Sequence, residues 1–220
     1  MAYRFQVPRK PLASTVATHS LLAQVLGITG LGLCITAWAA YAFQNVVPFG
    51  VGLIAMLIGF GLLFAINAVR ANEALALGLF YLFTFLEGIG LAPTIHNYLQ
   101  ALGSGPIISA ALTTGVGMFG LGAIVYMTGL DLRRFSGWFF GALMALVLVG
   151  VVSMFVRFIP PSIYSYGVLI IFSGLVLIDF ARIRAGGDGL NPVQMSVQIY
   201  LDAINIFIAL LQIFGGRSRD

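Results

Sequence analysis

Charge is scarce in this chain. Of 220 residues, 11 are Lys or Arg and 7 are Asp or Glu, 8% together, where a soluble domain carries about 25%. That shortage excludes a water-solvated globule and identifies an integral membrane protein. Cysteine is nearly missing: Cys34 stands alone inside an apolar run, so no intramolecular disulfide forms, redox compartment is not readable, and a small packing role is expected. The two histidines, His19 and His96, are expected at opposite membrane edges, which excludes one shared metal site. No His-Glu-x-x-His motif, phosphate loop or dinucleotide fingerprint occurs. The Gly-x-Gly-Asp signature of intramembrane aspartyl proteases fails at Ala185-Gly186-Gly187-Asp188, and serine chemistry of the rhomboid type fails because Ile171, not Gly, precedes Ser173 by two. No enzyme and no cofactor is expected. No internal repeat is visible, which disfavours secondary transport.

What is present is apolar length. Six runs of about 20 residues begin near Leu21, Phe49, Ala74, Ile107, Ser136 and Ser162, and a seventh covers Val193 to Gly215. Each of the first six is long enough for a hydrocarbon core of about 30 Å; the seventh either crosses fully, which puts Arg217 and Arg219 outside, or re-enters, which puts them inside. The reading is an all-α integral membrane protein: residues 1–20 a cytoplasmic segment, 21–215 one seven-helix domain, 216–220 a short tail. His96 to Gly105 is expected as an uncharged loop. Arg4, Arg9, Lys10, Arg70, Arg133, Arg134, Arg182 and Arg184 fall on the N-terminus and alternate loops, while the other loops hold only Arg157. The positive-inside rule then places the N-terminus in the cytoplasm. The net charge of +4 reflects this orientation, not nucleic-acid binding. Glycines inside the spans, such as Gly32, Gly59, Gly115 and Gly122, suit close helix packing; those of the fourth span also suit bending.

The seventh run is the unusual one. Its twelve Val, Ile, Leu and Phe side chains favour insertion by about 6 kcal/mol, of which a central Asp202 removes about 3. Gln198, Asp202 and Asn205 share one helical face, with Gln212 near the same stripe. The other runs read as far more apolar, a wall around this one. Asp179 sits one to two turns from the end of the sixth run, across a short loop from Asp202. The two carboxyls are expected to face each other and share a proton, a pH sensor near neutrality; the alternative is separate capping of each. Arg70 either snorkels to headgroups or clamps a carboxylate at the cytoplasmic mouth. Glu87 is either a cation or proton-relay group or a protonated acid bonded to a neighbouring helix. Glu87, Gln198 and Asn205 are candidates for a cation path, and Asp179 and Asp202 for calcium ligation, since carboxylate oxygens are the hard donors calcium prefers.

Three stretches carry a resemblance. Phe85-Leu86-Glu87-Gly88-Ile89-Gly90-Leu91-Ala92-Pro93, Leu177-Ile178-Asp179-Phe180 with Arg182-Ile183, and Tyr200-Leu201-Asp202-Ala203-Ile204-Asn205-Ile206-Phe207 are similar to the third, sixth and last helices of the Bax inhibitor-1 family. The resemblance covers about residues 20–215. It implies a seven-helix bundle with the C-terminal helix central and six transmembrane helices around it. It also implies Asp179 and Asp202 as a pH-sensing pair, with Arg70 as the nearest match to a latching arginine. Family members are associated with pH-dependent calcium leak, and other bacterial members modulate membrane-bound FtsH-type proteases. The implied roles are therefore a pH-sensitive calcium or cation leak in a bacterial inner membrane, or binding to such a protease.

Overall fold

The computed structural model describes residues 12–156 and 159–217. Arg4, Arg9, Lys10, Arg157 and Arg219 lie outside the described residues, as does the His19 side chain. Seven helices follow in order: α1 (Leu12–Phe43), α2 (Phe49–Ala68), α3 (Glu73–Leu102), α4 (Gly105–Thr128), α5 (Ser136–Phe155), α6 (Pro161–Arg184) and α7 (Pro192–Arg217). All seven are long and apolar enough to cross a membrane. In hydrocarbon a backbone must satisfy its own hydrogen bonds, so such runs become helices.

Local chemistry sets the ends. Asn72 accepts from the Leu75 amide at 3.1 Å and starts α3, with Glu73 in the positive first turn. Pro161 and Pro192 each open a helix where a missing N–H costs nothing. Gly129, in the left-handed region, ends α4. At the head of α7, Asn191 Oδ1 accepts from the Gln194 amide at 2.9 Å and Gln194 Oε1 from the Asn191 amide at 3.2 Å, a reciprocal cap.

α7 packs against α6, α4, α1 and α3, while α2 leans on α3 and α5 on α6. In their most apolar windows, 56% of α7 residues are buried and none of those in α5. The last helix is therefore the centre of the bundle. It has 26 residues, about 39 Å at 1.5 Å per residue, which suffices for a full crossing. Tyr200 is its main anchor: fully buried, edge-on to Phe80 and Phe83 with centroids 5.6 and 5.5 Å away. Its hydroxyl lies 2.6 Å from Thr36 Oγ1, which donates to the Thr84 carbonyl at 2.8 Å. One knot thus joins α1, α3 and α7.

Four expectations change. The loop expected over His96 to Gly105 is mostly helix: α3 runs through Pro93 to Leu102. Pro93 is buried against Gly52, and a membrane helix tolerates the lost hydrogen bond when a neighbour covers the site. The outer spans are not far more apolar than α7, whose mean hydropathy of 1.8 sits within their range of 1.7 to 2.5. The difference is that α7 gathers its polar groups on one side. Cys34 is exposed on the bundle surface rather than packed. Of the span glycines, Gly32, Gly59 and Gly122 meet side chains of other helices, but a Cβ at Gly115, Gly117 or Gly120 would enter open space. Of these four α4 glycines, Gly122 alone therefore serves close packing within this chain, against Phe180.

Candidate intramembrane carboxylate site

α6 and α7 form an antiparallel hairpin, and their polar residues meet down one seam. At the turn end, Arg182 Nη1 donates to Asp179 Oδ1 at 2.8 Å and to Gln198 Oε1 at 2.9 Å. Next comes Asp202, buried with 4% of its surface exposed, beside Asp179 at 8%. The two carboxyls lie within hydrogen-bonding reach of each other. At the far end, Ser165 Oγ donates to Gln212 Oε1 at 2.6 Å. The i, i+4, i+7 spacing on α7 places these groups on one stripe, and α6 supplies the matching one.

Asp202 Oδ2 is buried and has no hydrogen-bond partner among the described residues. A buried carboxylate oxygen left unpaired is costly. A hydrogen bond between two carboxyls requires a proton on one of them. The expectation that Asp179 and Asp202 face one another agrees with this geometry.

Arg70 does not hold the pair. It is exposed, and among the described residues its guanidinium makes no ion pair with either aspartate. Its backbone carbonyl instead accepts from Asn191 Nδ2 at 2.9 Å, and Gln194 Nε2 reaches Asn67 Oδ1 at 3.3 Å. The end of α2 and the turn after it thus anchor the cap of α7, by the Asn67 side chain and the Arg70 main chain. The cation on the pair is Arg182, which the sequence reading assigned to the loop. It belongs to the last turn of α6, and the i, i+3 spacing from Asp179 was the available signal.

The foreseen cation path is not assembled. Asn205 Nδ2 turns back to the Leu201 carbonyl of its own helix at 2.8 Å, and Gln198 is taken by Arg182. Glu87 stands between α3 and α2, with Oε1 3.4 Å from the place a Cβ would occupy at Gly59. Nor does the pair suit calcium as a bound ion. Calcium takes six to eight oxygens, whereas here two carboxyls and one amide oxygen already face a guanidinium. A chamber of about 830 Å³ does lie beside α7, but no Asp, Glu, Lys or Arg lines it, and its α7 wall is Ile199, Ala203, Ile204 and Phe207.

Charged groups continue beyond the hairpin. Arg133 binds Asp131 through Nε at 3.0 Å and Nη2 at 2.8 Å, and Asp188 through Nη1 at 2.7 Å. Arg184 donates to the Val125 carbonyl and, at 2.8 Å, to that of Gly129, where the dipole of α4 ends negative. The α6–α7 turn is thereby tied to the α4–α5 loop.

Comparison with known proteins agrees with this architecture. The family described as "Inhibitor of apoptosis-promoting Bax1" matches residues 18–219. The chain is 30% identical over 212 residues to the modulator of FtsH protease YccA of Escherichia coli, covering 94% of each. It is 30% identical over 205 residues to an uncharacterised protein of Pseudomonas aeruginosa, covering 92% of this chain and 89% of that one. It is also 28% identical over 227 residues to an uncharacterised membrane protein of Streptococcus pyogenes, covering 92% and 95%. A seven-helix membrane chain matched over nearly its whole length, with the last helix at its centre, belongs to the Bax inhibitor-1 family.

Proposed function

We propose that this protein is a non-enzymatic, pH-sensitive leak pathway for calcium or another cation, gated by the contact between Asp179 and Asp202. The observation that carries this reading is the burial of two facing aspartates between the central helix and α6, with Arg182 bonded to one of them. The Arg182–Asp179 ion pair exists only while Asp179 is charged. A proton added to the pair removes that attraction and loosens the seam that holds α7. Calcium is cargo in this scheme and is not held at the pair. The N-terminus and the α2–α3, α4–α5 and α6–α7 connections face the cytoplasm, as their arginines favour, and acid on that side opens the path.

Proteoliposomes loaded with a calcium indicator test the reading. Flux at pH 6 should exceed flux at pH 8 by at least about fivefold, the low end of ordinary coupling between a ligand and a conformational equilibrium. Asp179→Asn leaves Arg182 without its partner and should raise flux at pH 8 while flattening the pH response. Absence of flux at every pH, or a full pH response in both Asp179→Asn and Asp202→Asn, contradicts it.

A second reading rests on the relative named as a modulator of FtsH protease. In it, the protein binds a membrane-anchored protease of that type through its helices or N-terminal segment. Co-purification with the protease, lost on deleting residues 1–18, is the expected result.

A further inference from the structure

The turn joining α6 to α7 has an unusual backbone. Gly186, Gly187, Asp188 and Gly189 carry φ of 98°, 94°, 51° and 83°, and Asp188 is the one non-glycine residue with positive φ among the described residues. Three glycines give the turn wide conformational freedom. Aspartate tolerates the left-handed region better than most residues, at some cost. Left alone, such a segment would be a loose hinge at the head of the central helix.

It is not left alone. Asp188 Oδ1 accepts from Arg133 Nη1 at 2.7 Å, and Oδ2 lies 3.9 Å from Arg182 Nε. Arg133 is braced from behind by Asp131 at 2.8 Å. Arg182, in turn, reaches Asp179 and Gln198 with Nη1. Charges of alternating sign therefore run from the α4–α5 loop, through the turn, to the buried pair: Asp131, Arg133, Asp188, Arg182, Asp179. The segment with the freest backbone is thus pinned from outside by Arg133, through a residue of its own, Asp188, that also lies beside the arginine on the carboxylate site.

We propose that Asp188 is the fastener of this hinge. It holds the α6–α7 turn against the α4–α5 loop through Arg133, and it positions Arg182 so that the guanidinium stays on Asp179. Asp188 is a positioning residue: it reaches the buried pair only through Arg182. The cytoplasmic face and the intramembrane site are thereby one mechanical unit, and whatever displaces Arg133 from Asp188 loosens the head of α7. The link to ion flux rests on the leak reading above; the fastening itself does not.

Two measurements on the full chain in lipid separate these layers. Asp188→Asn keeps a residue that accepts the left-handed backbone but removes the charge. Hydrogen exchange across residues 183–200 should quicken about two- to fivefold, as suits partly exposed ion pairs. Arg133→Gln should act alike, and the double variant should fall clearly short of the sum of the two, because both remove the Arg133–Asp188 contact. Calcium flux at pH 8 should rise by a similar factor. Unchanged exchange in Asp188→Asn overturns the proposal, as does full additivity of the two variants. Quickened exchange with no flux in any variant, Asp179→Asn and Asp202→Asn included, upholds the fastener and removes the leak reading instead.

Discussion

Two arginines at one end of the bundle carry similar charge and do different work. Arg182 has a side chain 20% exposed, bonded to a carboxylate 11% exposed. Breaking such a pair strands a charge in a poorly solvated place, at about 3 kcal/mol or somewhat more. Arg70 is exposed and contributes a carbonyl, which survives substitution. Arg182→Gln should therefore lower thermal stability in detergent markedly, while Arg70→Gln shifts it by no more than about 0.5 kcal/mol. Equal effects would place the latch where the sequence suggested it. The loop acids give a matching control. Hydrogen bonds from Arg133 hold Asp131 at about 2, below its ordinary value of 3.8. A depressed acid contributes above its unfolded pKa and loses that contribution only as pH falls through the folded value. The Asp131 contact is thus intact throughout pH 6 to 8, and Asp131→Asn should leave the shape of any pH response in that window unaltered.

At the scale of helices, contact between backbones decides which glycines matter. A Cβ at Gly88 would stand 2.6 Å from both the Thr36 carbonyl oxygen and Ala39 Cβ, so α1 and α3 would have to separate. Gly115 has open space around it. Gly88→Ala should cost about 1–3 kcal/mol in unfolding measurements, whereas Gly115→Ala should be neutral or gain up to about 1 kcal/mol from helix propensity. Much of the element pattern was readable, because seven apolar runs and two N-terminal prolines leave little choice of boundary. The ends that misled did so for physical reasons. His96 to Gly105 looked like loop because it is uncharged and runs into Gly103-Ser104-Gly105-Pro106, yet α3 continues to Leu102 before Gly103 stops it. Arg182 looked like loop because it is charged, yet its partner three residues back lies inside the helix.

Across the whole molecule, one buried seam and one loose turn organise everything else. The facing of Asp179 and Asp202 was legible because a charge placed in an apolar run must find a partner, and the nearest run offered one. The identity of its counter-ion and the pinning of the turn were not, because they depend on side-chain direction at the α6 end and on a left-handed backbone at Asp188. Nor could the sequence tell that Glu87 belongs to the α2–α3 contact, away from the seam. Together these give a bundle in which α7 is held by aromatic packing on one side and by the carboxylate seam on the other, and in the proposed leak a proton on that seam lets α7 move. Spin labels at two exposed positions, Ile170 on α6 and Gly216 on α7, in a Cys34→Ser background, report that movement directly. Distances measured in lipid at pH 8 and pH 6 should shift in the native chain and stay fixed in Asp202→Asn. An identical distance at both pH values in the native chain would contradict the claim that acid on the pair frees the central helix.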